Sequence, residues 1–452
     1  MRIAELAGRR VAVWGYGREG SAALAALRKR LPALGITVFC SDAEASAARG
    51  ARTTTVTSPP DAAALSAFDV VIKSPGIGAY RPEILEAQHN GTLFTSGTAL
   101  WFAEHPDART IAVTGTKGKS TVTALIAHCL RGLGRRTALA GNIGLPLLEL
   151  LDPPRAADWW VIELSSFQTR AAPQVDVGVI VNLYEEHLDW HGTRERYAAD
   201  KLALADAAST LVVNALQPEL ATRTAAHAKR VVFGDARTWH VRDGAIFRAT
   251  ARIASLAEVP LRGAHNALNV CAALAAIDAA GEDAIAAAAH LATFRPLPHR
   301  LQRLGARDGF TWFDDSIATT PQATLEALAS LGGDRVTVLV GGHDRGLDWR
   351  AFAAAVRDDP PHAIVTMGAN GARIAAVLRE TPGRYRLESA ATLADAVAVA
   401  RRVTPNNGIV LLSPGAPSFD QFRDYAERGA AFAALAGFDP DTIGTIAGLG
   451  IA

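Results

Sequence analysis

Residues 114–121 read Thr-Gly-Thr-Lys-Gly-Lys-Ser-Thr, with a strand-like apolar run before them and an apolar helical run after them. Gly115 and Gly118 permit a tight loop whose backbone N–H groups can point at an anion. A helix that begins near Lys119 adds the positive end of its dipole to the same place. The stretch therefore predicts a strand, a phosphate-binding loop and a helix, which together form the start of an α/β domain.

The two lysines that flank Gly118 favour phosphate binding over a simple helix cap. Positive charge at a helix N-terminus opposes the helix dipole unless an anion binds there. In loops of this kind, the lysine at the position of Lys119 reaches the β- and γ-phosphates of a nucleotide. The hydroxyl group at the position of Ser120 holds Mg²⁺. The spacing departs from the common GxxxxGK[ST] pattern, because Gly115 lies only three residues before Gly118. The alternative is a Gly/Ser/Thr turn that only caps the helix.

The composition predicts a cytoplasmic protein of several domains. The chain has 452 residues, enough for two to four domains. Its formal net charge of +1 argues against a general nucleic-acid or anionic-membrane surface, so we expect no nucleic-acid partner. Cys40, Cys129 and Cys271 include no CxxC pair, and neither a disulfide framework nor a zinc knuckle is indicated. The N-terminus lacks the apolar core of a signal peptide, and we expect no membrane insertion.

The first segment, 1–106, begins with a strand-like run, the turn Gly15-Tyr-Gly-Arg-Glu-Gly20 and an Ala/Leu-rich helical run. A second predicted strand leads to Asp42, a spacing that matches the fingerprint of a dinucleotide-binding domain. A third predicted strand ends in a turn that contains Ser74 and Gly76. The fingerprint alone is compatible with an NAD-dependent dehydrogenase, with another nucleotide-bearing ligand, or with a purely structural turn.

The second segment, 107–297, contains the phosphate-binding loop and further strand ends that carry polar side chains. One predicted strand ends at Glu163, and another runs into Asn182 and His187. Carboxylate oxygens and a histidine nitrogen beside such a loop are the ligands that a Mg²⁺–ATP site requires. A helix with Lys201 follows.

The third segment, 298–452, repeats the alternation of strands and helices. Each of its predicted strands ends in a turn rich in Gly, Ser or Asp; these strands are 309–313, 335–340, 363–367 and 408–412. Alternation of strands and helices along the whole chain predicts an α/β protein whose sheets are mainly parallel and covered by helices.

Together the motifs resemble those of the Mur ligases, the ATP-dependent amide-forming enzymes of peptidoglycan synthesis, over essentially the whole chain. The motifs that follow this family's order and approximate spacing are Thr114 to Thr121, Gly141 to Gly144, Glu163 to Gln168, Asn182 with His187, Lys201, Gly263 to Asn269, Pro298-His-Arg300 and Asp315-Ser316. The resemblance implies a three-domain architecture. A Rossmann-like domain (1–106) holds a UDP-linked substrate, a P-loop domain (107–297) binds ATP, and a second Rossmann-like domain (298–452) binds the incoming amino acid.

The resemblance also implies roles for individual residues. The UDP group is expected at Gly17, Arg18, Asp42, Ser74, Gly76 and Asn142. ATP is expected at Gly115, Thr116, Lys117, Gly118, Lys119, Ser120, Thr121, Asn266, Asn269, Arg300 and Asp315. Two Mg²⁺ ions are expected at Ser120, Glu163, His187 and a carbamylated Lys201, since the family converts this lysine into an anionic ligand. Lys119, Glu163, His187 and Lys201 are the expected catalytic residues.

Within the family the chain resembles the ligases that add glutamate to UDP-N-acetylmuramoyl-L-alanine. ATP would phosphorylate the alanine carboxylate, and the glutamate amine would attack the acyl phosphate. Arg345, Ser418 and Tyr425 are the expected glutamate-binding residues. Ile317 stands where the common D-glutamate-adding pattern has a lysine, and the turn at 15–20 looks more like a divergent branch that adds L-glutamate, with a separate epimerase acting afterwards.

We therefore predict ligation of L-glutamate, with the same ligation of D-glutamate as the alternative. More remote alternatives are a ligase similar to folylpolyglutamate synthase and an NAD-dependent dehydrogenase. A non-catalytic P-loop protein would be expected to lose Glu163, His187 or Lys201, and the sequence keeps all three.

Overall fold

The computed structural model of the protein describes residues 1–184 and 188–452. In this part of the chain the strands form three sheets, and the predicted α/β class is confirmed. The chain divides into two compact units. The first unit comprises Met1–Pro260, His265–Phe294 and Gly448–Ala452, and the second comprises Leu261–Ala264 and Arg295–Ala447.

The first sheet is the N-terminal part of the first unit. Its strands are β1 (Val11–Trp14), β2 (Ile36–Phe39), β3 (Thr53–Val56), β4 (Val70–Lys73) and β5 (Leu93–Thr95). They are accompanied by helices α1 (Arg18–Arg30), α2 (Asp42–Ala48), α3 (Ala62–Ser66), α4 (Pro82–His89) and α5 (Gly97–Glu104). The strand order is β3-β2-β1-β4-β5, with parallel pairing throughout. The order reverses at β1, and ligands of such sheets bind beside the strand ends at this point.

The turn after β1 explains why glycine is needed there. Gly15 has φ +87°, and a Cβ on it would lie 2.8 Å from the Ser74 hydroxyl oxygen at the end of β4. A Cβ on Gly20 would clash with the Gly15 carbonyl. Helix α1 begins at Arg18, inside the glycine turn.

The second sheet occupies the central part of the first unit. Its strands are β6 (Thr110–Thr114), β7 (Thr137–Gly141), β8 (Trp159–Glu163), β9 (Val175–Ile180), β10 (Ala208–Asn214), β11 (Arg230–Phe233), β12 (Trp239–Arg242), β13 (Ala245–Arg248) and β14 (Ala251–Ser255). The accompanying helices are α6 (Lys119–Gly132), α7 (Leu188–His191), α8 (Arg194–Ala207), α9 (Pro218–Arg223), α10 (Ala264–Ala279) and α11 (Ala284–Ala288). The strand order runs β14-β13-β12-β11-β10-β9-β6-β8-β7.

Strand β6 lies between β9 and β8, with parallel pairing on both sides. The loop after β6 is therefore flanked by the ends of its two neighbours, because parallel strands end at the same edge of a sheet. Strands β12, β13 and β14 extend the sheet as an antiparallel meander that the sequence analysis did not predict.

The third sheet forms the second unit. Its strands are β15 (Gln302–Arg307), β16 (Phe310–Asp314), β17 (Val336–Val340), β18 (Ala363–Thr366), β19 (Arg386–Ser389) and β20 (Ile409–Leu412). The helices are α12 (Pro321–Leu331), α13 (Arg350–Asp358), α14 (Gly371–Glu380), α15 (Leu393–Val403), α16 (Tyr425–Ala436) and α17 (Pro440–Ile443). The order is β15-β16-β20-β17-β18-β19, parallel except for the antiparallel pair β15 and β16.

The last strand, β21 (Gly450–Ile451), returns to the first unit and pairs antiparallel with β7. Arg131 secures it, because its guanidinium donates to the carbonyls of Gly448 at 2.7 Å and Gly450 at 3.0 Å. The predicted third domain comprises the whole of 298–452. In the structure the final five residues, Gly448–Ala452, lie with the first unit instead.

Short 3-10 helices complete the described secondary structure, at Ile3–Leu6, Leu147–Leu150, Thr169–Ala171, Leu256–Glu258, Leu291–Thr293 and Gly333–Arg335. Among the described residues, no helix is both long and apolar enough to cross a membrane.

Candidate active site

The loop between β6 and α6 has the predicted strand–loop–helix form. Gly118 is the N-cap residue of α6 and has φ +79°, a left-handed conformation that favours glycine. A Cβ at Gly118 would lie only 2.5 Å from the side-chain oxygen of Asn269 on α10. Asn269 also donates to the Asn266 side-chain oxygen at 3.0 Å. The two asparagines that are expected to bind ATP are therefore joined by a hydrogen bond, and Asn269 packs directly against the loop.

Asn182, which follows β9, fixes the shape of the loop. Its side-chain oxygen accepts hydrogen bonds from the backbone N–H groups of Thr116 and Lys117, both at 2.9 Å. Its amide nitrogen donates to the Lys117 carbonyl at 3.0 Å. Asn182 belongs to one of the predicted motifs, but its sequence position did not indicate this anchoring role. One side chain thus makes hydrogen bonds with three backbone groups of the loop.

The first turn of α6 carries the predicted phosphate and metal residues. The Lys119 ammonium donates to the Thr116 carbonyl at 3.0 Å, so the side chain folds back over the loop. Ser120 and Thr121 are buried at the N-terminus of the helix. This arrangement places a cation and two hydroxyl-bearing residues where the helix dipole favours an anion.

Glu163 ends β8 beside the loop, in register with Val113 of β6. The side chain is 1% exposed. One carboxylate oxygen accepts from the Asn142 side-chain amide at 2.7 Å, and the other is buried with no hydrogen-bond partner among the described residues. A buried carboxylate oxygen without a donor suits a hard cation such as Mg²⁺. The residues present therefore fit a magnesium ion at this place.

Lys201 lies on α8 and is 1% exposed. Its amine donates to the Gly115 carbonyl at 2.9 Å and lies 4.9 Å from the centre of the Tyr197 ring. The structure thus brings Lys201 to the first glycine of the loop. Carbamylation would add an anionic group to this nitrogen and leave one N–H, so the hydrogen bond to Gly115 is compatible with the predicted modification.

His187, the predicted ligand of a second metal ion, lies outside the described residues, as does Glu186 before it. Within residues 1–184 and 188–452 the structure has no group of three or more His, Cys, Asp or Glu side chains arranged to hold a metal ion. The described part of the predicted metal set is Ser120, Glu163 and Lys201, which belong to the first unit.

Four of the residues predicted to bind UDP follow the ends of β1 and β4: Gly17 and Arg18 follow β1, and Ser74 and Gly76 follow β4. Gly17 caps α1, and the Ser74 hydroxyl donates to the Gly15 carbonyl at 3.0 Å. The space where a Cβ of Gly17 or of Gly76 would stand is open within 4 Å. Asp42 lies apart from them at the exposed start of α2, after β2.

Two contacts join the first turn of α1 to the central sheet. The Arg18 guanidinium donates to the Gly144 carbonyl at 3.3 Å, next to Asn142. The Gln168 amide donates to the Glu19 carboxyl at 3.4 Å. Burial raises the pKa of Glu19 to about 7. The expected UDP turn therefore contacts both the Asn142 turn and the segment that follows Glu163.

A buried polar cluster precedes Lys201. The Asp200 carboxylate accepts from the Tyr80 hydroxyl at 2.7 Å, pairs with His191 Nδ1 at 2.8 Å and forms an ion pair with Arg170. His191 Nε2 lies 3.0 Å from the Ser166 hydroxyl. These contacts connect α8, α7 and the segment after β8, and hold the helix that carries the predicted catalytic lysine. No local pattern indicated this cluster, because its members are distant in sequence.

In the second unit, Asp315 follows β16 and is held on both oxygens. It accepts from the Leu301 backbone N–H at 3.0 Å and from the Ser413 hydroxyl at 2.8 Å. Burial raises the pKa of Asp315 to about 7, against the lowering effect of these hydrogen bonds. Arg300 lies in the same unit, immediately before Leu301.

The predicted glutamate-binding residues are all in the second unit. Arg345 is exposed in the loop after β17, Ser418 is buried in the loop after β20, and Tyr425 begins α16 and is 39% exposed. The loop of Arg345 is held from α14. There the Arg373 guanidinium donates to Asp344 at 3.0 Å and to the Leu347 carbonyl at 2.9 Å.

Two family domains match the chain. Residues 113–277 match the Mur ligase middle domain, and residues 299–415 match the Mur ligase glutamate ligase domain. Two relatives carry the name UDP-N-acetylmuramoyl-L-alanine–L-glutamate ligase. One, from Xanthomonas euvesicatoria pv. vesicatoria (strain 85-10), is 49% identical over 467 residues, and another, from Xylella fastidiosa (strain Temecula1), is 49% identical over 468 residues. Both alignments cover 100% of this chain and 100% of the relative.

The fold is similar to that of a solved Mur ligase. The UDP-N-acetylmuramate-alanine ligase of Thermotoga maritima superimposes with a TM-score of 0.63, covering 94% of this chain and 98% of the other. The two sequences are 19% identical, so this likeness concerns the fold alone.

Proposed function

The chain belongs to the Mur ligase family, and we propose that it is an ATP-dependent ligase that joins L-glutamate to UDP-N-acetylmuramoyl-L-alanine in peptidoglycan precursor synthesis. The observation that carries this proposal is the 49% identity, over the full length of both chains, to relatives named for this reaction. The phosphate-binding loop with Glu163 at its side supports the use of ATP. A dehydrogenase would not explain why this loop, the buried carboxylate and Lys201 come together.

The chemistry explains why such a site is needed. A carboxylate does not react with an amine in neutral water. ATP therefore transfers its γ-phosphoryl group to the alanine carboxylate, which releases ADP and gives an acyl phosphate. The glutamate amine then attacks the acyl carbon, the C–O bond to phosphate breaks, and a proton is lost as the amide forms. The first step brings two anions together, so it depends on groups that stabilise negative charge.

The loop residues 115–121 supply those groups in our proposal. Their N–H groups and the Lys119 ammonium bind the phosphates of ATP and stabilise charge on the phosphoryl group in transfer. Ser120 and Glu163 would hold one Mg²⁺ ion, and His187 with a carbamylated Lys201 a second. Bound Mg²⁺ neutralises negative charge on the phosphoryl oxygens. The Asn142 amide occupies one oxygen of the Glu163 carboxylate, which would leave the second oxygen available for Mg²⁺.

The remaining predicted residues divide between the other substrates. Gly17, Arg18, Asp42, Ser74 and Gly76 would bind the UDP-linked substrate, together with Asn142. Asn266, Asn269, Arg300 and Asp315 would bind ATP beyond its phosphates. The assignment of Arg18 is supported by its contact with the Gly144 turn, because one side chain there reaches both halves of the first unit.

Arg345, Ser418 and Tyr425 would bind glutamate in the second unit. An arginine can bind a carboxylate through two parallel hydrogen bonds, and a buried hydroxyl can donate a further hydrogen bond to the ligand. The L-isomer is favoured by the names of the relatives, and Ile317 removes a lysine that the common D-glutamate-adding pattern has.

An L-glutamate product implies a later reaction, since the common form of this pathway uses D-glutamate. We propose that an epimerase of the same pathway inverts the glutamyl centre afterwards. The nucleotide substrates are consistent with action in the cytoplasm.

The decisive experiment supplies ATP, Mg²⁺ and UDP-N-acetylmuramoyl-L-alanine with either L- or D-glutamate and measures the amide product and free phosphate. We expect product with L-glutamate, and phosphate release only when both the UDP-linked substrate and glutamate are present. If ATP is hydrolysed at the same rate when the UDP-linked substrate or glutamate is left out, the ligase proposal is overturned. Preference for D-glutamate would overturn only its stereochemistry.

A further inference from the structure

Arg428 is a buried cation in the second unit that the sequence analysis did not single out. It lies on α16 and is 1% exposed. Its Nε donates to the Ser316 hydroxyl at 3.1 Å, and its Nη2 donates to the carbonyls of Ser316 at 2.8 Å and Ala416 at 3.0 Å. Its Nη1 is buried and has no hydrogen-bond partner among the described residues.

The guanidinium lies where the carboxyl ends of three neighbouring strands meet. Ser316 follows β16 and Ala416 follows β20. A Cβ on Gly342, which follows β17, would lie 3.0 Å from Arg428 Nη1. The order of the sheet makes these strands adjacent, with β20 between β16 and β17. One side chain therefore contacts all three loops at this edge.

These loops carry the residues proposed to bind glutamate. Ser418 is two residues beyond Ala416, and Arg345 is three residues beyond Gly342. The Ser316 hydroxyl, which accepts from Arg428, itself donates to the Tyr425 carbonyl at 2.8 Å. The guanidinium is therefore linked to Tyr425 through Ser316, and to Ser418 along the chain from Ala416.

The charge of Arg428 is costly to bury, which argues for a use beyond packing. Removing a cation from water is unfavourable unless the cation is well paired, and a protein with an apolar side chain of similar size at such a position is often as stable. Burial lowers the pKa of Arg428 to about 10, so the group stays charged at neutral pH. Attraction to Asp420 and Asp314 partly offsets this lowering of the pKa. Each of these acids also has another partner: Asp314 pairs with His299 at 2.7 Å, and Asp420 accepts from the Ala369 N–H at 3.1 Å.

We propose that Arg428 is a positioning residue for the anionic amino-acid substrate. It fixes the loops that carry Ser418 and Tyr425, and its buried positive charge favours a ligand with two carboxylates at this edge of the sheet. This inference rests on the proposed glutamate ligase function. It assigns Arg428 no contact with the reacting atoms.

The test compares Arg428→Lys, which keeps the charge but loses the planar fork, with Arg428→Met, which loses both. Ser316→Ala removes one partner and leaves the arginine in place. Arg401→Lys is the matched control, because Arg401 is in the same unit, is 37% exposed and pairs with Asp308 at the surface. The measurements are KM for glutamate, ATP and the UDP-linked substrate, together with Tm.

We expect KM for glutamate to rise about tenfold or more in Arg428→Lys and further in Arg428→Met, and to rise less in Ser316→Ala. KM for ATP and for the UDP-linked substrate should stay within about twofold of wild type, as should all constants of Arg401→Lys. If Arg428→Met does not fold, Arg428→Lys and Ser316→Ala decide. If the Arg428 variants keep the wild-type KM for glutamate and have a lowered Tm, Arg428 has a structural role only and the proposal is refuted.

The two proposals fail in different ways. If the wild-type protein makes no amide from glutamate, the proposed function fails. If the wild type makes the amide and the variants keep its glutamate KM, only the role of Arg428 is refuted.

Discussion

The Asn142 side-chain amide donates to one oxygen of the buried Glu163 carboxylate at 2.7 Å, while the other oxygen has no hydrogen-bond partner among the described residues. This hydrogen bond fixes the orientation of the carboxylate, and the second oxygen can bind another partner. Asn142 was predicted to bind the UDP-linked substrate, and that assignment stays a proposal. The contact with Glu163 gives Asn142 a second role, which is to orient this carboxylate.

Replacement of Asn142 should weaken the response to magnesium. A residue that orients a metal ligand typically contributes about 10- to 100-fold to metal affinity. We expect Asn142→Ala to require about tenfold more Mg²⁺ for half-maximal ATP turnover, and Glu163→Gln to be nearly inactive at any Mg²⁺ concentration. Titration of activity with Mg²⁺ checks both. A normal Mg²⁺ response in Asn142→Ala would separate the amide from metal binding.

Two features should make Gly118 necessary for ATP binding: its left-handed backbone conformation and its close approach to Asn269. The two can be tested separately. Gly118→Ala places a Cβ 2.5 Å from the Asn269 oxygen and holds a non-glycine residue at φ +79°. Gly134 has φ +78° with open space around it, so Gly134→Ala carries only the backbone cost, about 1–2 kcal/mol. We expect both variants to lose some stability and only Gly118→Ala to lose ATP binding, measured by calorimetry. Equal ATP affinity in the two would show that the contact with Asn269 is unimportant.

Lys201 should be required as a carbamate rather than as an ammonium. Lys201→Ala removes the expected anionic ligand, and a small carboxylate such as formate or acetate can take its place. We expect activity to fall by about 100-fold or more and to recover partly with formate, while chloride at the same ionic strength has no effect. Lys201→Arg keeps a donor for the Gly115 carbonyl but cannot be carbamylated in the same way, and should stay inactive. Full activity of Lys201→Ala without additives would refute the carbamate.

Asp315 should make stability depend on pH. Its pKa of about 7 in the folded protein lies above the ordinary value of about 3.9. Between these values the folded protein holds a proton that the unfolded chain has released, so stability falls as pH rises, by up to about 1.4 kcal/mol per pH unit. Asp315→Asn keeps the size of the side chain without the titration. We expect Tm of the wild type to fall more than Tm of the variant between about pH 5 and pH 7; parallel curves would contradict this.

The strands that carry the central site could be predicted closely from the sequence. Strands β6 and β8 are fully buried parallel strands, which appear in a sequence as continuous apolar runs. Strand β14 and strand β21 were not predicted. No residue of β14 is fully buried, so it lacks a continuous buried apolar run, and β21 has only two residues, which pair with the distant strand β7.

The same difference applies to the site. The loop at 115–121 depends on local glycine geometry, so its strand–loop–helix form could be predicted from the sequence. Asn142 contacts Glu163 across 21 positions, and Arg428 contacts Ser316 across 112. In a helix that begins Tyr-Ala-Glu-Arg-Gly, an arginine has the appearance of a surface residue. Only the assembled sheet shows that it is buried.

Because the chain returns to the first unit at β21, the long segment of the second unit, Arg295–Ala447, is covalently connected to the first unit at both ends. The short segment Leu261–Ala264 also belongs to the second unit. The chain passes from Phe294 to Arg295 and comes back between Ala447 and Gly448. A single backbone nick near Phe294 would therefore leave the two units covalently joined. A fluorophore attached after Ala452 would report on the sheet that contains the phosphate-binding loop, although it follows the second unit in sequence.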